Sequence, residues 1–294
     1  MDERKDRPGV ALLGTGLMGA PMARRILASG YPLHVWNRTR SKAETLADDG
    51  AKVCGTAAEA VGDADIVITM LSDGPSVAAL LFENGMAEAM KDGAVLIDMS
   101  SIRPDEAREH ARRLNERGID HLDAPVSGGT RGARDGTLAI MAGGGEDVFD
   151  QAKHVLETMG RPVRVGPSGT GQLAKLANQM IVAVTIGAVA EATLLAREGG
   201  ADPSALRDAL KGGFADSTIL QQHGERMEHG DFEPGGQSRF QLKDLRNALD
   251  AAGELDLPLA AQVTDRFARL VDEMGRGETD HSALFLELLD RNGL

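Results

Sequence analysis

The sequence predicts an α/β domain built on a doubly wound parallel sheet, followed by an all-α domain entered through a long helix. Three observations predict this. Short apolar runs alternate with helix-type stretches through the first half of the chain. The first run leads at once into Gly14-Thr15-Gly16-Leu17-Met18-Gly19 and then a helical pattern. From Gly171 onward, apolar residues recur only at helical spacing.

Taken in order, Val10–Leu13, Leu33–Trp36, Asp65–Met70, Val95–Asp98, His121–Asp123 and Leu138–Met141 are predicted strands. Each is short, apolar and flanked by Gly, Asp or Ser, as strands covered on both faces should be. Pro162–Val165 is predicted to close the sheet. Between the strands, Pro21–Ser29, Ser41–Asp49, Ser76–Phe82, Pro104–Arg117 and Asp147–Met159 are predicted helices. Pro104 suits a first helical turn, where no N–H is needed. Leu173, Leu176, Met180, Ile181, Val184, Val189 and Leu195 then mark one helix, which Gly199-Gly200 stops. It is far longer than the average of about 11–12 residues. Such a helix enters a second domain or supplies a dimer interface. Asp202-Pro203-Ser204 starts the next helix, and no strand pattern returns.

Composition narrows the function classes. Hydrophobic residues make up 42% of the chain and charged residues 26%, a globular balance. The formal net charge of −13 argues against sequence-independent nucleic-acid binding, which needs a basic face. Aromatics are only 3%, so the core must come from Ala, Leu, Val, Ile and Met. Cys54 stands alone, which excludes an internal disulfide and disfavours a cysteine-based zinc site. The seven histidines show no ligand spacing, and no metal is expected. The first ten residues are charged and lack a signal-peptide core. The most apolar segment, Met180 to Ala190, falls short of the roughly 20 residues that span a bilayer. A cytoplasmic location is therefore expected, with neither membrane nor nucleic acid as partner.

The strand, glycine turn and helix around Gly14, Gly16, Leu17, Met18 and Gly19 give the context that the dinucleotide fingerprint of a Rossmann domain requires. The first glycine permits the turn, the second admits the pyrophosphate, and the third lets helix and strand pack. In NAD sites the second strand ends in an acid that binds the ribose hydroxyls. Here it ends Asn37-Arg38-Thr39. No carboxylate repels a 2′-phosphate, Arg38 can pair with one, and Thr39 can donate to it. NADP is therefore expected ahead of NAD, although Arg38 could equally be a solvated loop residue. Leu71 and Ser101 follow later strands, where cofactor contacts are expected. The boundary is placed after residue 168. Residues 1–168 form the NADP-binding domain, and 169–294 a helical substrate and dimerisation domain.

Asp123-Ala124-Pro125-Val126-Ser127-Gly128-Gly129 ends a strand in a small, glycine-rich turn. Its N–H groups could cradle an anion such as a substrate carboxylate, or it could be an ordinary connection. Lys175 and Asn178 are three apart and share a helix face. Lys175 either snorkels to solvent or acts as a functional cation. Lys243 lies on another helix, where a surface ion pair would also account for it. Spacing does not orient the Phe214–Ser217 segment.

These stretches together resemble the β-hydroxyacid dehydrogenase family. That family includes 3-hydroxyisobutyrate dehydrogenase, tartronate semialdehyde reductase and the glyoxylate/succinic semialdehyde reductases. The resemblance rests on GTGLMGAPMA at Gly14–Ala23, IDMSS at Ile97–Ser101 and DAPVSGG at Asp123–Gly129. KLANQ at Lys175–Gln179, KDL at Lys243–Leu245 and DHSAL at Asp280–Leu284 continue it in family order. KLANQ and the apolar run after it look like tartronate semialdehyde reductase, whereas Asn37-Arg38-Thr39 looks like the NADPH-using glyoxylate/succinic semialdehyde branch. Gln179 stands where the commoner family form has a second Asn. The resemblance implies Lys175 as catalytic acid/base, with Ser127, Gly128 and Gly129 on the substrate carboxylate. Asn178 would position substrate and lysine, Lys243 would lie by the nicotinamide, and Ser101 would touch the cofactor. It also implies a homodimer or homotetramer. The expected activity is NADP(H)-preferring interconversion of a small carboxylated aldehyde and its hydroxyacid, with NAD(H) possible. An imine-reductase-like enzyme and a catalytically silent NADP-binding scaffold are the alternatives, and the presence of Lys175 argues against both.

Overall fold

The computed structural model describes residues 7–294, so most of the charged N-terminal stretch lies outside the described residues. Contacts divide the chain into two compact units, Met1–Lys175 and Leu176–Leu294, with the division inside the long helix.

The first unit holds a nine-stranded sheet. Its strands are β1 (Val10–Leu13), β2 (Leu33–Trp36), β3 (Lys52–Val53), β4 (Ile66–Thr69) and β5 (Val95–Asp98). They continue with β6 (Asp120–Asp123), β7 (Val126–Ser127), β8 (Leu138–Gly143) and β9 (Gly160–Gly166). The order is β3-β2-β1-β4-β5-β6-β8-β7, with β9 paired to β8. From β3 to β6 every pairing is parallel, with Val10 in register with Leu33 and Ile66, and Asp98 with Asp123. Chain order reverses direction at β1, between β2 and β4, which is the switch point where doubly wound sheets bind ligands.

The apolar runs are explained by burial on two sides. Val10, Leu12, Ile66, Ile68, Val95, Ile97 and Leu122 face one core, which includes Met22 and Ile26 of the helix Gly19–Ala28. Ala11, Leu13, Val67 and Leu96 face a second core, which includes Ala107 and Leu114 of the helix Pro104–Asn115. Alternation is present in space but silent in the sequence, because both faces are apolar.

Three details differ from the sequence reading. β3 and β7 are two residues each, too short to show periodicity. β8 runs antiparallel to β6 and β7, so the parallel sheet ends in an antiparallel step. The predicted helix Ser41–Asp49 is only Arg40–Glu44. Thr45 bonds back to the Lys42 carbonyl and Asp49 pairs with Arg24 at 2.7 Å, which favours turns over a continued helix.

The second unit is helical. After the long helix Thr170–Glu198 come Pro203–Leu210, Thr218–His229, Ser238–Ala252, Pro258–Ala268 and Leu284–Arg291. Asp202 caps the first of these through the Ser204 N–H, as the Asp-Pro-Ser sequence predicts. Ala183, Ile186, Ala190, Leu242, Leu245, Phe267 and Leu284 form its core. The long helix corrects the membrane-length reading, since its 29 residues and a window of mean hydropathy 1.7 would suffice to cross a bilayer. A core helix meets the same criterion, and its Ala183, Ile186 and Ala190 are fully buried here.

Candidate active site

The glycine turn leaves β1 at the switch point. Gly14 has φ +100°, open to glycine but not to most residues, and a Cβ there would strike the Met70 carbonyl. A Cβ on Gly19 would strike the Gly14 carbonyl, so the turn folds tightly onto the start of its helix. A Cβ on Gly16 would meet nothing within 4 Å. That open side is where a pyrophosphate would approach the backbone. The helix Gly19–Ala28 has no acid in its first turn and no side-chain cap, so its N-terminal dipole is available to an anion. Thr15 is buried, and its Oγ1 has no partner among the described residues. Leu17 projects beside the turn at 84% exposure, whereas Met18 packs on the first core. An open backbone cradle, an uncapped helix and an orphaned hydroxyl fit a dinucleotide.

Asn37 serves the turn structurally. Its Oδ1 accepts from the Thr15 N–H at 3.0 Å, and its Nδ2 donates to the Thr39 carbonyl at 2.9 Å. Arg38 and Thr39 are exposed. Arg40 is committed to Glu44 at 2.9 Å, while Arg38 makes no ion pair among the described residues.

Buried polar groups join the carboxyl ends of β4, β5 and β6. Thr69 Oγ1 donates to Asp98 Oδ1 at 2.9 Å, and the Ser100 N–H donates to the same oxygen at 3.1 Å. Ser100 Oγ accepts from the Leu71 N–H at 2.9 Å. Burial pushes the Asp98 carboxyl up to about 6, and its Oδ2 lacks a partner among the described residues. Burial likewise pushes Asp123 up to about 6, against the pull of two backbone N–H donors. Those donors are Gly169 at 2.7 Å and Gln172 at 2.9 Å, so Asp123 anchors the beginning of the long helix.

Gly171 packs so closely that a Cβ would strike the Asp123 carbonyl. Lys175 follows one turn later on the same helix face and is only 9% exposed. Most of the side chain is therefore packed within the protein rather than extended into solvent. Ser127 ends β7 half-buried, and Gly128 and Gly129 are exposed at the start of the helix Gly129–Asp135.

In the second unit, Asn178 Nδ2 donates to Gln179 Oε1 at 2.9 Å. Gln179 Nε2 donates to Gln241 Oε1 and Asp244 Oδ2, both at 3.1 Å. Lys243 Nζ lies 3.3 Å from Asp244 Oδ1, so it has an ion pair, but with a buried acid. His223, Asp280 and His281 also come together, with ligand atoms within 4.8 Å of one another. Linear spacing could not reveal that cluster across 58 positions. Asp280 is occupied there in holding the chain, accepting from Gly235, Gly236 and Ser282 with Arg226 3.5 Å away.

Asp98, Asp123, Gln172, Gln179, Gln241 and Asp244 were absent from the sequence-predicted site. Their signal was weak: a polar residue inside or at the end of an apolar run, which also describes many surface residues.

Comparison with known proteins places the chain in a family. Residues 9–171 match the family described as the NAD binding domain of 6-phosphogluconate dehydrogenase. Residues 169–288 match the NAD-binding family of NADP-dependent 3-hydroxyisobutyrate dehydrogenase. The chain is 44% identical over 291 residues to 2-hydroxy-3-oxopropionate reductase of Escherichia coli, covering 97% of this chain and 99% of that protein. Among solved structures, 3-hydroxyisobutyrate dehydrogenase of Mycobacterium tuberculosis with L-serine has a TM-score of 0.88 at 33% identity, covering 96% and 99%. An imine reductase from Pseudomonas sp. shares the fold alone, with a TM-score of 0.66 at 22% identity and coverage of 96% and 100%. The chain belongs to the β-hydroxyacid dehydrogenase family and is an NAD(P)-dependent oxidoreductase of the 3-hydroxyisobutyrate dehydrogenase type.

Proposed function

We propose that this enzyme reduces a short carboxylated aldehyde to its hydroxyacid, preferring NADPH, with Lys175 as general acid. The carrying observation is a nearly buried lysine on a helix anchored by Asp123 at the carboxyl end of β6. Tartronate semialdehyde leads the candidates, because it is 2-hydroxy-3-oxopropionate, for which the Escherichia coli relative is named. Glyoxylate, succinic semialdehyde and methylmalonate semialdehyde follow.

Bound NADPH would supply the hydride. Gly14, Gly16, Leu17, Met18 and Gly19 hold the pyrophosphate side, with Leu71 and Ser101 on the nicotinamide side and Lys243 beside it. Arg38 and Thr39 bind the 2′-phosphate, and Asn37 braces the turn. Ser127, Gly128 and Gly129 take the substrate carboxylate. As the aldehyde carbon is reduced, negative charge grows on its oxygen. The Lys175 ammonium stabilises that oxygen and gives it a proton, while Asn178 orients both partners. In the hydroxyacid direction the neutral amine accepts the proton.

Residues 1–168 are assigned to cofactor binding, and 169–294 to substrate contacts and self-association. Ile181 and Leu195 are large apolar residues standing exposed on the long helix, which supports a homodimer or homotetramer. A cytoplasmic location accompanies this reading.

The test is a panel of the four aldehydes and a cyclic imine, each measured with NADPH and NADH. Turnover of a carboxylated aldehyde with NADPH is expected to dominate. Preference for the imine would favour the imine-reductase reading, and cofactor binding without turnover would favour a silent scaffold.

A further inference from the structure

Gln172 is fully buried three residues before Lys175. Its side-chain amide makes two bonds to one loop, with Nε2 donating to the Ser100 carbonyl at 2.9 Å and Oε1 accepting from the Ile102 N–H at 3.1 Å. These backbone groups flank Ser101. A planar amide that pairs with both sides of a residue fixes the loop in rotation as well as distance, as a neighbouring strand would. The backbone N–H of Gln172 is held in turn by Asp123 Oδ2 at 2.9 Å. On the other side, Ser100 accepts from Leu71 at 2.9 Å and donates to Asp98 at 3.1 Å. One continuous set of buried hydrogen bonds thus joins the ends of β4, β5 and β6 to the first turn of the helix that carries Lys175.

We propose that Gln172 is a positioning residue for hydride transfer, setting the Lys175 ammonium against the Ser101 loop. Packing alone would be met by any side chain of its volume. Two-point pairing matters where two elements must keep one spacing, because the proton donor and the nicotinamide must address the same carbon–oxygen bond. A displacement of about 1 Å at such a centre costs about 10²-fold in rate. Gln172 touches the loop backbone and the helix, so it acts through Ser101 and Lys175.

This inference rests on the reading of Lys175 as proton donor. The experiment compares Gln172→Met, Gln172→Glu, Lys175→Ala and each double variant, with circular dichroism for folding, NADPH fluorescence for cofactor Kd, and kcat for the best substrate of the panel. Gln172→Met should lower kcat by about 10- to 100-fold with KM and cofactor Kd changed less than about threefold. Gln172→Glu keeps the Ile102 acceptor and, with its buried carboxyl protonated, an O–H donor for the Ser100 carbonyl, so it should recover part of that loss. In the Lys175→Ala background, Gln172→Met should cost less than about threefold more, because its effect passes through the lysine. A folded Gln172→Met enzyme with unchanged kcat overturns the proposal. So does an equal loss in the Lys175→Ala background, which makes the effect independent of the lysine, or failure of both Gln172 variants to fold, which assigns the residue to stability alone. Full turnover in Lys175→Ala instead removes the reading of the lysine, which keeps the two failures distinguishable.

Discussion

The backbone N–H of Thr15 donates to Asn37 Oδ1 at 3.0 Å, tying the glycine turn after β1 to the end of β2. Asn37 thereby braces the glycine turn, and under the proposed reading the exposed Arg38 beside it would supply the charge for a 2′-phosphate.

That division of labour makes cofactor choice separable by mutation. The enzyme should show higher kcat/KM with NADPH than with NADH, by roughly tenfold for one exposed charge-assisted contact. The ratio should shrink as salt rises, because Arg38 is open to screening. Asn37→Asp retains an acceptor for Thr15 and adds a ribose ligand, so with Arg38→Ala it should reverse the preference. A wild-type preference for NADH, or the same ratio in the double variant, counts against Arg38 as the phosphate ligand.

Lys175→Ala should lower kcat by about 10²- to 10⁴-fold, the usual contribution of a positioned general acid. Cofactor affinity should stay within a few fold, because the lysine addresses the substrate oxygen. Steady-state kinetics beside a fluorescence titration with NADPH checks both halves.

Ser127→Ala should raise KM for carboxylated aldehydes about tenfold, the loss expected for one hydrogen bond to a charged group. Butanal, with no carboxylate to hold, should be a poor substrate of the parent and unaffected by the change. Ser127 is a better probe than Gly128, whose φ of +131° would strain any other residue there. Equal kcat/KM for butanal and succinic semialdehyde would refute the assignment.

Acid stability should respond to His121. It lies buried on β6, both ring nitrogens lack partners among the described residues, and burial, then the nearby His110, lowers its pKa to about 3. The unfolded chain binds a proton near the ordinary value of 6.5, and the folded chain does not until about pH 3. Keeping this ring neutral therefore destabilises the fold progressively as pH falls from about 6.5, by about 2 kcal/mol at pH 5. His121→Leu should raise Tm more at pH 5 than at pH 8. Asp98 has the opposite sign: its carboxyl, raised to about 6, favours the fold as pH falls from about 6 toward the usual carboxylate range. Asp98→Asn should remove that compensation and steepen the acid loss. Melting curves of both variants from pH 4.5 to 8 test the pair, and parallel shifts at all pH values would exclude both assignments.

The sequence by itself determined the layout of this protein and the place of its glycine turn at the carboxyl end of β1. Apolar runs such as Val10–Leu13 need cover on both faces, which specifies helices on either side, and Gly14, Gly16 and Gly19 are interpretable because turn and helix geometry is local. The i, i+3 relation of Lys175 and Asn178 is legible for the same reason. Only the tertiary structure decided which polar groups meet across the chain. Asp123 reaches Gly169 and Gln172, Gln172 reaches the residues flanking Ser101, and Gln179 reaches Gln241 and Asp244. Those partners lie 46 to 72 positions apart. No helical or strand period encodes such a distance. The reversal of β8 was hidden likewise, because its apolar residues would suit either direction, and pairing with β6 and β7 fixed one.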